Sequence, residues 1–288
     1  MKIIINADDF GMTKSVNRAI FEIAKVGSLT STTVMINMPY AHEAVDLLPL
    51  DISIGLHFNL TEGKAISEAS RIPSLVDASG NFLGKPELIE RISAGKVKQE
   101  HVLIEMESQY NKLYELIGDR VDHMDSHQGL NKLGVVSKAL LQFGKKKKIP
   151  AIRVYTKYYI KKKGENYTVK FPGLSSFREF GIKRVMVETF LKYRVGLMNK
   201  YFSHPDGLLV TPSHNAIDVF KALSVSDPKK FPNVVVEVPF HPSTDLAELQ
   251  NTKLMQERVD EYEFLTSENF LKAKANLNLV KYTSTFRN

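Results

Sequence analysis

The chain has 288 residues, 43% of them hydrophobic and 25% charged, a composition that argues against disorder. It contains no cysteine, which excludes disulfides, thiolate zinc sites and a cysteine nucleophile; any metal must be held by His, Asp, Glu or water. With 39 basic against 32 acidic side chains the formal charge is +7, much of it in lysine clusters at 145–148 and 161–163, which read as a solvated helix end and a solvated loop.

No stretch rich in Gly, Ser or Pro divides the chain, so one α/β domain over 1–288 is expected. The opening MKIIINADDFG lacks the long apolar core and cleavage site of a signal peptide, and no apolar run is long enough to span a bilayer. A cytoplasmic location, with no membrane partner, is the resulting expectation.

In chain order, KIIINA predicts a buried strand, and Val16, Ala19, Ile20, Ile23 and Ala24 recur at helical spacing over 14–26 before Gly27. TTVMIN predicts a second strand, 41–48 a helix and ISIGLHFNL a third strand. Residues 61–85 read as an extended loop punctuated by Gly63, Pro73, Gly80 and Gly84. Helices at 86–95 and 99–117 lead into the strand VDHMDSH. A helix over 133–144 precedes the strand IRVYT. A polar insertion then occupies 158–173, and a long helix runs to about 202. GLLVTPS, VVVEVPF and NLVKYTS predict three later strands. About eight strand–helix alternations imply parallel strands with right-handed crossovers. The expected architecture is a (β/α) barrel, irregular or incompletely closed, with an open doubly wound sheet as the alternative.

Chemistry collects at the strand ends, which converge on one face of such a barrel. Strand one ends in Asp8 and Asp9, strand three in His57 and strand four in Asp125 and His127; strand five starts near Arg153, and strand seven ends in His241. Two carboxylates straight after a buried strand need a cationic partner, although Asp also caps helices. Adjacent residues diverge in direction, so one could ligate a metal while the other faces substrate. Period two puts Gly55, His57 and Asn59 on one face, and likewise His123, Asp125 and His127. Two histidines with a carboxylate form a nitrogen/oxygen metal set that suits zinc, manganese, cobalt or nickel as readily as magnesium. Arg153 would keep a carboxylate ionised and oriented, and Glu237 would orient a neighbour or line the interior. His42, His101 and His204 have no assigned role, and His214 is a weak candidate for the mouth.

NADDFG, STTVMIN, GLHFNLT, HMDSHQ and the late HP, taken together and in this order, resemble the YdjC-like carbohydrate deacetylases over nearly the whole chain. The resemblance implies a barrel-like fold, a divalent metal (usually magnesium) and hydrolysis of the acetamido group of chitin-derived or related amino sugars. Carried over by motif, Asp9, His57 and His127 become the metal ligands, Asp8 the base and His241 the acid, with His123, Asp125 and Arg153 as supporting or substrate-facing groups. A homodimer is a further expectation at the level of the family. Backbone N–H groups near Phe10 and Gly11 would help to stabilise the oxyanion. Similar members often carry a histidine where this chain has Gly129, and the 158–173 insertion has no counterpart in the resemblance.

Two other classes compete. Asp8 or Asp9 with Asp125 could serve a metal-independent glycosidase, but such an enzyme needs no strand-end histidines. A non-enzymatic binder using the basic face for nucleic acid lacks both a recognised motif and a basic stripe interleaved with aromatics.

Overall fold

Short buried strands alternating with amphipathic helices build one mainly parallel sheet. The computed structural model describes residues 1–164, 166–172, 177–198, 201–211, 215–225, 231–249 and 254–285. The strands are β1 (Lys2–Phe10), β2 (Ser31–Val34), β3 (Ser53–Phe58), β4 (Val121–Ser126), β5 (Ala151–Ile152), β6 (Lys157–Lys163), β7 (Asn166–Lys170), β8 (Gly207–Val210) and β9 (Val235–Phe240). The helices are α1 (Lys14–Lys25), α2 (Lys85–Ser93), α3 (Gln99–Ile117), α4 (Gly134–Lys147), α5 (Phe177–Phe180), α6 (Ile182–Met198), α7 (Ala216–Ser224), α8 (Gln256–Thr266) and α9 (Glu268–Ala273). Among these, no helix is long and apolar enough to cross a membrane.

Local chemistry explains the elements that flank the site. Thr13 caps α1 by accepting the Val16 N–H at 3.1 Å, and the helix buries the predicted stripe of Val16, Ala19, Ile20, Ile23 and Ala24. The lysine cluster at 145–148 closes α4, where Lys146 and Lys147 pair with Glu107 of α3. The insertion at 158–173 is largely a hairpin of β6 and β7, the one antiparallel pair among the described strands.

The sheet order is β5-β4-β3-β2-β1-β9-β8-β6-β7. β5 and β6 are separated by seven inter-strand steps in that order, which would place them about 34 Å apart in a flat sheet. Yet only the five peptide steps from Ile152 to Lys157 link them, a reach of at most about 18 Å. The sheet must therefore curl strongly, as a barrel does. It does not close. β5 is two residues long, shorter than the predicted IRVYT strand, and beyond it a single bridge joins Ala151 to Ser203. The expected barrel, irregular or incompletely closed, is thus met only in part, by a curled, mainly parallel sheet that stays open.

The expected final strand NLVKYTS is also corrected. Leu279 makes one bridge to Ile3, and the chain then turns into a 3-10 segment, Tyr282–Thr285. Tyr282 is driven into the interior of the sheet instead. Its ring stacks on His123 at 3.9 Å with an interplanar angle of 10°, its N–H donates to Ser53 Oγ at 3.0 Å, and its hydroxyl donates to Glu237.

His123 opposes Gly55 across β3 and β4, and a Cβ added at Gly55 would lie 2.5 Å from His123 Nε2. The glycine of GLHFNLT is there to make room. Gly55→Ala should cost about 1–3 kcal/mol through overpacking. The measurement is the urea midpoint, which should fall with the slope unchanged; an unshifted midpoint would show that His123 moves freely.

Candidate active site

At the end of β1 the register with β2 shifts between Ala7 and Phe10, and Asp9 takes a φ of 70°. This left-handed conformation is tolerated better by Asp than by most residues. The bulge overturns the expected divergence of two adjacent side chains. Asp8 and Asp9, 4% and 1% exposed, both turn into the concave face of the sheet.

Three atoms from three elements converge there. Asp9 Oδ1 lies 3.0 Å from His127 Nδ1 and 3.3 Å from His57 Nε2, and the two ring nitrogens are 3.2 Å apart. Ligand atoms each about 2.1 Å from one divalent ion stand roughly 3.0–3.4 Å from one another, so this triangle fits such an ion. The outer nitrogens are already committed. His57 Nδ1 donates to Asp125 Oδ1 at 2.6 Å, and His127 Nε2 to Glu62 Oε1 at 2.9 Å. Each imidazole therefore offers its remaining nitrogen inward. Burial opposes charge on His57, but the Asp125 carboxylate beside it, with help from Asp9 and Asp8, pushes its pKa up to about 10.

The second group is built around Arg153, just past β5. Its guanidinium donates to Asp8 at 2.6 and 2.7 Å and to Glu237 at 2.8 Å, and it pairs with Asp125 at 2.5 Å. Burial would raise the pKa of Asp8, but Arg153 overrides it and holds the carboxyl well below the usual range. Asp8, His57 and Asp125 also lie close enough to suggest a second ion. Arg153 already supplies the positive charge between the two carboxylates. Asp125 is 2% exposed, and its Oδ1 lies against His57 Nδ1.

His241 follows β9 directly. Its Nε2 stands 3.7 Å from Asp8 Oδ2, its side chain is 30% exposed, and packing around the ring lowers its pKa. Its backbone N–H donates at 2.6 Å to Glu261, a carboxyl that burial pushes up to about 8.

Two of the expected groups are engaged elsewhere. His123 lies at the buried, far end of β4, held by Ser31, Asp122 and the Tyr282 ring, away from the converging triangle. The Gly11 N–H, expected to face an oxyanion, donates to Asn17 Oδ1 at 2.6 Å. His214 lies outside the described residues.

Sequence reasoning missed Arg258 and Glu62. Arg258, from α8, donates to Asp9 Oδ2 at 2.6 Å; burial would raise the Asp9 pKa, but Arg258 and His127 hold it well below the usual range. No strand-end signal announces a helical arginine, whereas Glu62 follows His57 closely in GLHFNLTEG and was legible as a loop carboxylate. At Gly129, where φ is 67°, an added Cβ would lie 2.7 Å from Lys132 Cε. The tip of the Lys132 side chain thus lies over Gly129.

Residues 2–276 match the family model described as YdjC-like protein. Carbohydrate deacetylase of Thermoanaerobacter pseudethanolicus is 37% identical over 151 residues, covering 51% of this chain and 58% of that protein. Chitooligosaccharide deacetylase of Yersinia enterocolitica is 34% identical over 150 residues, covering 51% of this chain and 57% of that protein. The chain thus spans somewhat over half the length of these curated relatives. A crystal structure from Enterococcus faecalis V583, provisionally described as a cellobiose-phosphate cleavage protein, superposes with a TM-score of 0.75 at 27% identity and covers 99% of both chains.

The raised His57 pKa has a measurable consequence. Below about pH 10 the metal-free imidazole carries a proton that an incoming cation must displace. If the triangle takes zinc, uptake at pH 7 should therefore release protons, and apparent affinity should rise with pH. Calorimetry in buffers of different ionisation enthalpy reads this directly; zero proton release would contradict it.

Proposed function

The chain belongs to the YdjC-like family, and on that premise we propose that it is a metal-dependent carbohydrate deacetylase, removing the acetyl group from an N-acetylated amino sugar of the chitooligosaccharide type. The observation that carries the reading is the Asp9–His57–His127 triangle set beside an ionised Asp8. The curated relatives' names supply the substrate class. We treat 1–288 as one domain acting in the cytoplasm, and a homodimer remains part of the proposal.

Amide hydrolysis needs an activated water, a stabilised oxyanion and a protonated leaving amine. Asp9, His57 and His127 would hold one divalent ion, magnesium by resemblance, although two imidazoles favour a softer ion such as zinc. When bound, that ion supplies Lewis acidity toward the acetyl carbonyl and acidifies the attacking water. Asp8 accepts that water's proton. Arg153 keeps it ionised and fixes both of its oxygens, which lowers its basicity but secures its orientation.

His241, 3.7 Å from Asp8, is the group that protonates the leaving nitrogen. Its lowered pKa means that it rests largely neutral at pH 7. The proton it donates is therefore the one drawn from water through Asp8, and its weak basicity makes it a ready donor. The C–O bond to water forms, the C–N bond breaks, and acetate leaves with the free amine as second product.

A glycosidase reading is less well supported. With Arg153 and Arg258 holding Asp8 and Asp9 ionised, its acid would have to be Asp125, whose oxygens His57 and Arg153 already engage.

Incubation with N,N′-diacetylchitobiose should release acetate, and chelation should abolish the release until zinc or magnesium is restored. Acetate release indifferent to chelation would refute metal dependence, and glycoside cleavage in its place would refute the reaction. Asp8→Asn should still bind metal but lose about 10²–10⁴-fold in kcat. A near-normal rate in that variant would remove Asp8 as the base.

A further inference from the structure

We propose that Glu62 is a positioning residue for the metal site: by taking the Nε2–H of His127 it fixes the tautomer that turns Nδ1 toward Asp9 and His57. This rests on the metal reading above and adds a residue to it.

The two imidazoles use opposite nitrogens. His57 points Nε2 inward and is oriented through Nδ1 by Asp125, a carboxylate on the adjacent strand β4. His127 points Nδ1 inward, so its orienting group must come from the other side, above the sheet. Glu62 is there, on the loop after β3, with Oε1 2.9 Å from His127 Nε2. Gln128 Nε2 donates to the same oxygen at 3.0 Å, which holds the carboxylate in that rotamer.

The backbone beneath Glu62 is fixed on both sides. Its N–H donates to Asn59 Oδ1 at 3.1 Å, and its carbonyl accepts from Asn59 Nδ2 at 2.7 Å and Asn37 Nδ2 at 2.9 Å. Asn59 is held in turn by Gln109 of α3, which donates to its carbonyl at 2.7 Å and accepts its N–H at 3.1 Å. Glu105, fully buried one helical turn away, accepts the N–H groups of Ile66 and Ser67 further along the loop. A buried carboxylate and three buried or half-buried amides are thus committed to one short loop. A polar network so fully satisfied specifies a single geometry, and the side chain it presents toward the mouth is Glu62. Its carboxylate is 36% exposed, so the fold does not need it for packing.

The test measures metal affinity, not turnover alone. Zn2+ affinity would be determined by competition with a chromophoric chelator, and the visible spectrum recorded with Co2+, for the wild type and for Glu62→Ala, Glu62→Gln and Glu68→Gln. Glu68 is an exposed carboxylate of the same loop and controls for loss of charge. Glu62→Ala should weaken Zn2+ about 10–100-fold and alter the Co2+ spectrum. Glu62→Gln should retain part of the affinity, because its amide oxygen still accepts the Nε2–H, and Glu68→Gln should match the wild type. Wild-type Zn2+ affinity in Glu62→Ala would overturn the inference even if turnover fell, since Glu62 would then serve substrate. Failure of the wild type to bind either ion would bring down the metal reading itself, and this inference with it.

Discussion

The interior of the curled sheet holds Asp8, Asp9, Asp125 and Glu237, all at most 4% exposed, and that many carboxylates cannot be buried without cations among them. Arg153 answers three of the four through one planar group. Its contacts run to β1, β4 and β9, which lie on different parts of the sheet. The same residue begins the short link between β5 and β6, where strand pairing leaves the sheet open. Ion pairs across the interior therefore do part of what a closed ladder would do, and charge balance and topology meet at one side chain. Removing it would leave three buried carboxylates facing one another, a far larger perturbation than the loss of a surface arginine.

A second cation, Arg258, separates the roles of the adjacent aspartates. Asp8 is gripped on both oxygens by Arg153, while Asp9 gives Oδ2 to Arg258 and leaves Oδ1 for the histidines. The left-handed turn at Asp9 is what permits both side chains to enter one cavity. Their division of labour is thus set by partners remote in sequence.

Much of this was legible. Parallel strands bring their ends to one face, so Asp8, Asp9, His57, Asp125, His127, Arg153 and His241 could be grouped from spacing and order, and the structure brings all seven together. His123 shared their periodicity but not their depth: period two gives a face, not a position along it, and His123 falls two residues short of Asp125. The bulge at Asp9 was hidden because Asp at positive φ leaves no mark in composition. Closure of the barrel could not be read either, since it turns on whether β5 extends beyond Ile152. Arg258 and Tyr282 reach the interior from the last part of the chain, where helical or strand periodicity says nothing about which distant carboxylate they meet.

Position 129 shows what limits change at the rim of the site. The backbone there is left-handed, with φ at 67°, so any side chain introduced carries a conformational cost that glycine avoids. The neighbours an added Cβ would meet are different in kind: Lys132 Cε at 2.7 Å and Nζ at 2.9 Å are the far end of a flexible side chain, which can swing aside. Tolerance at 129 is therefore set by the backbone and not by crowding, and asparagine, which accepts a positive φ, is admitted ahead of β-branched residues.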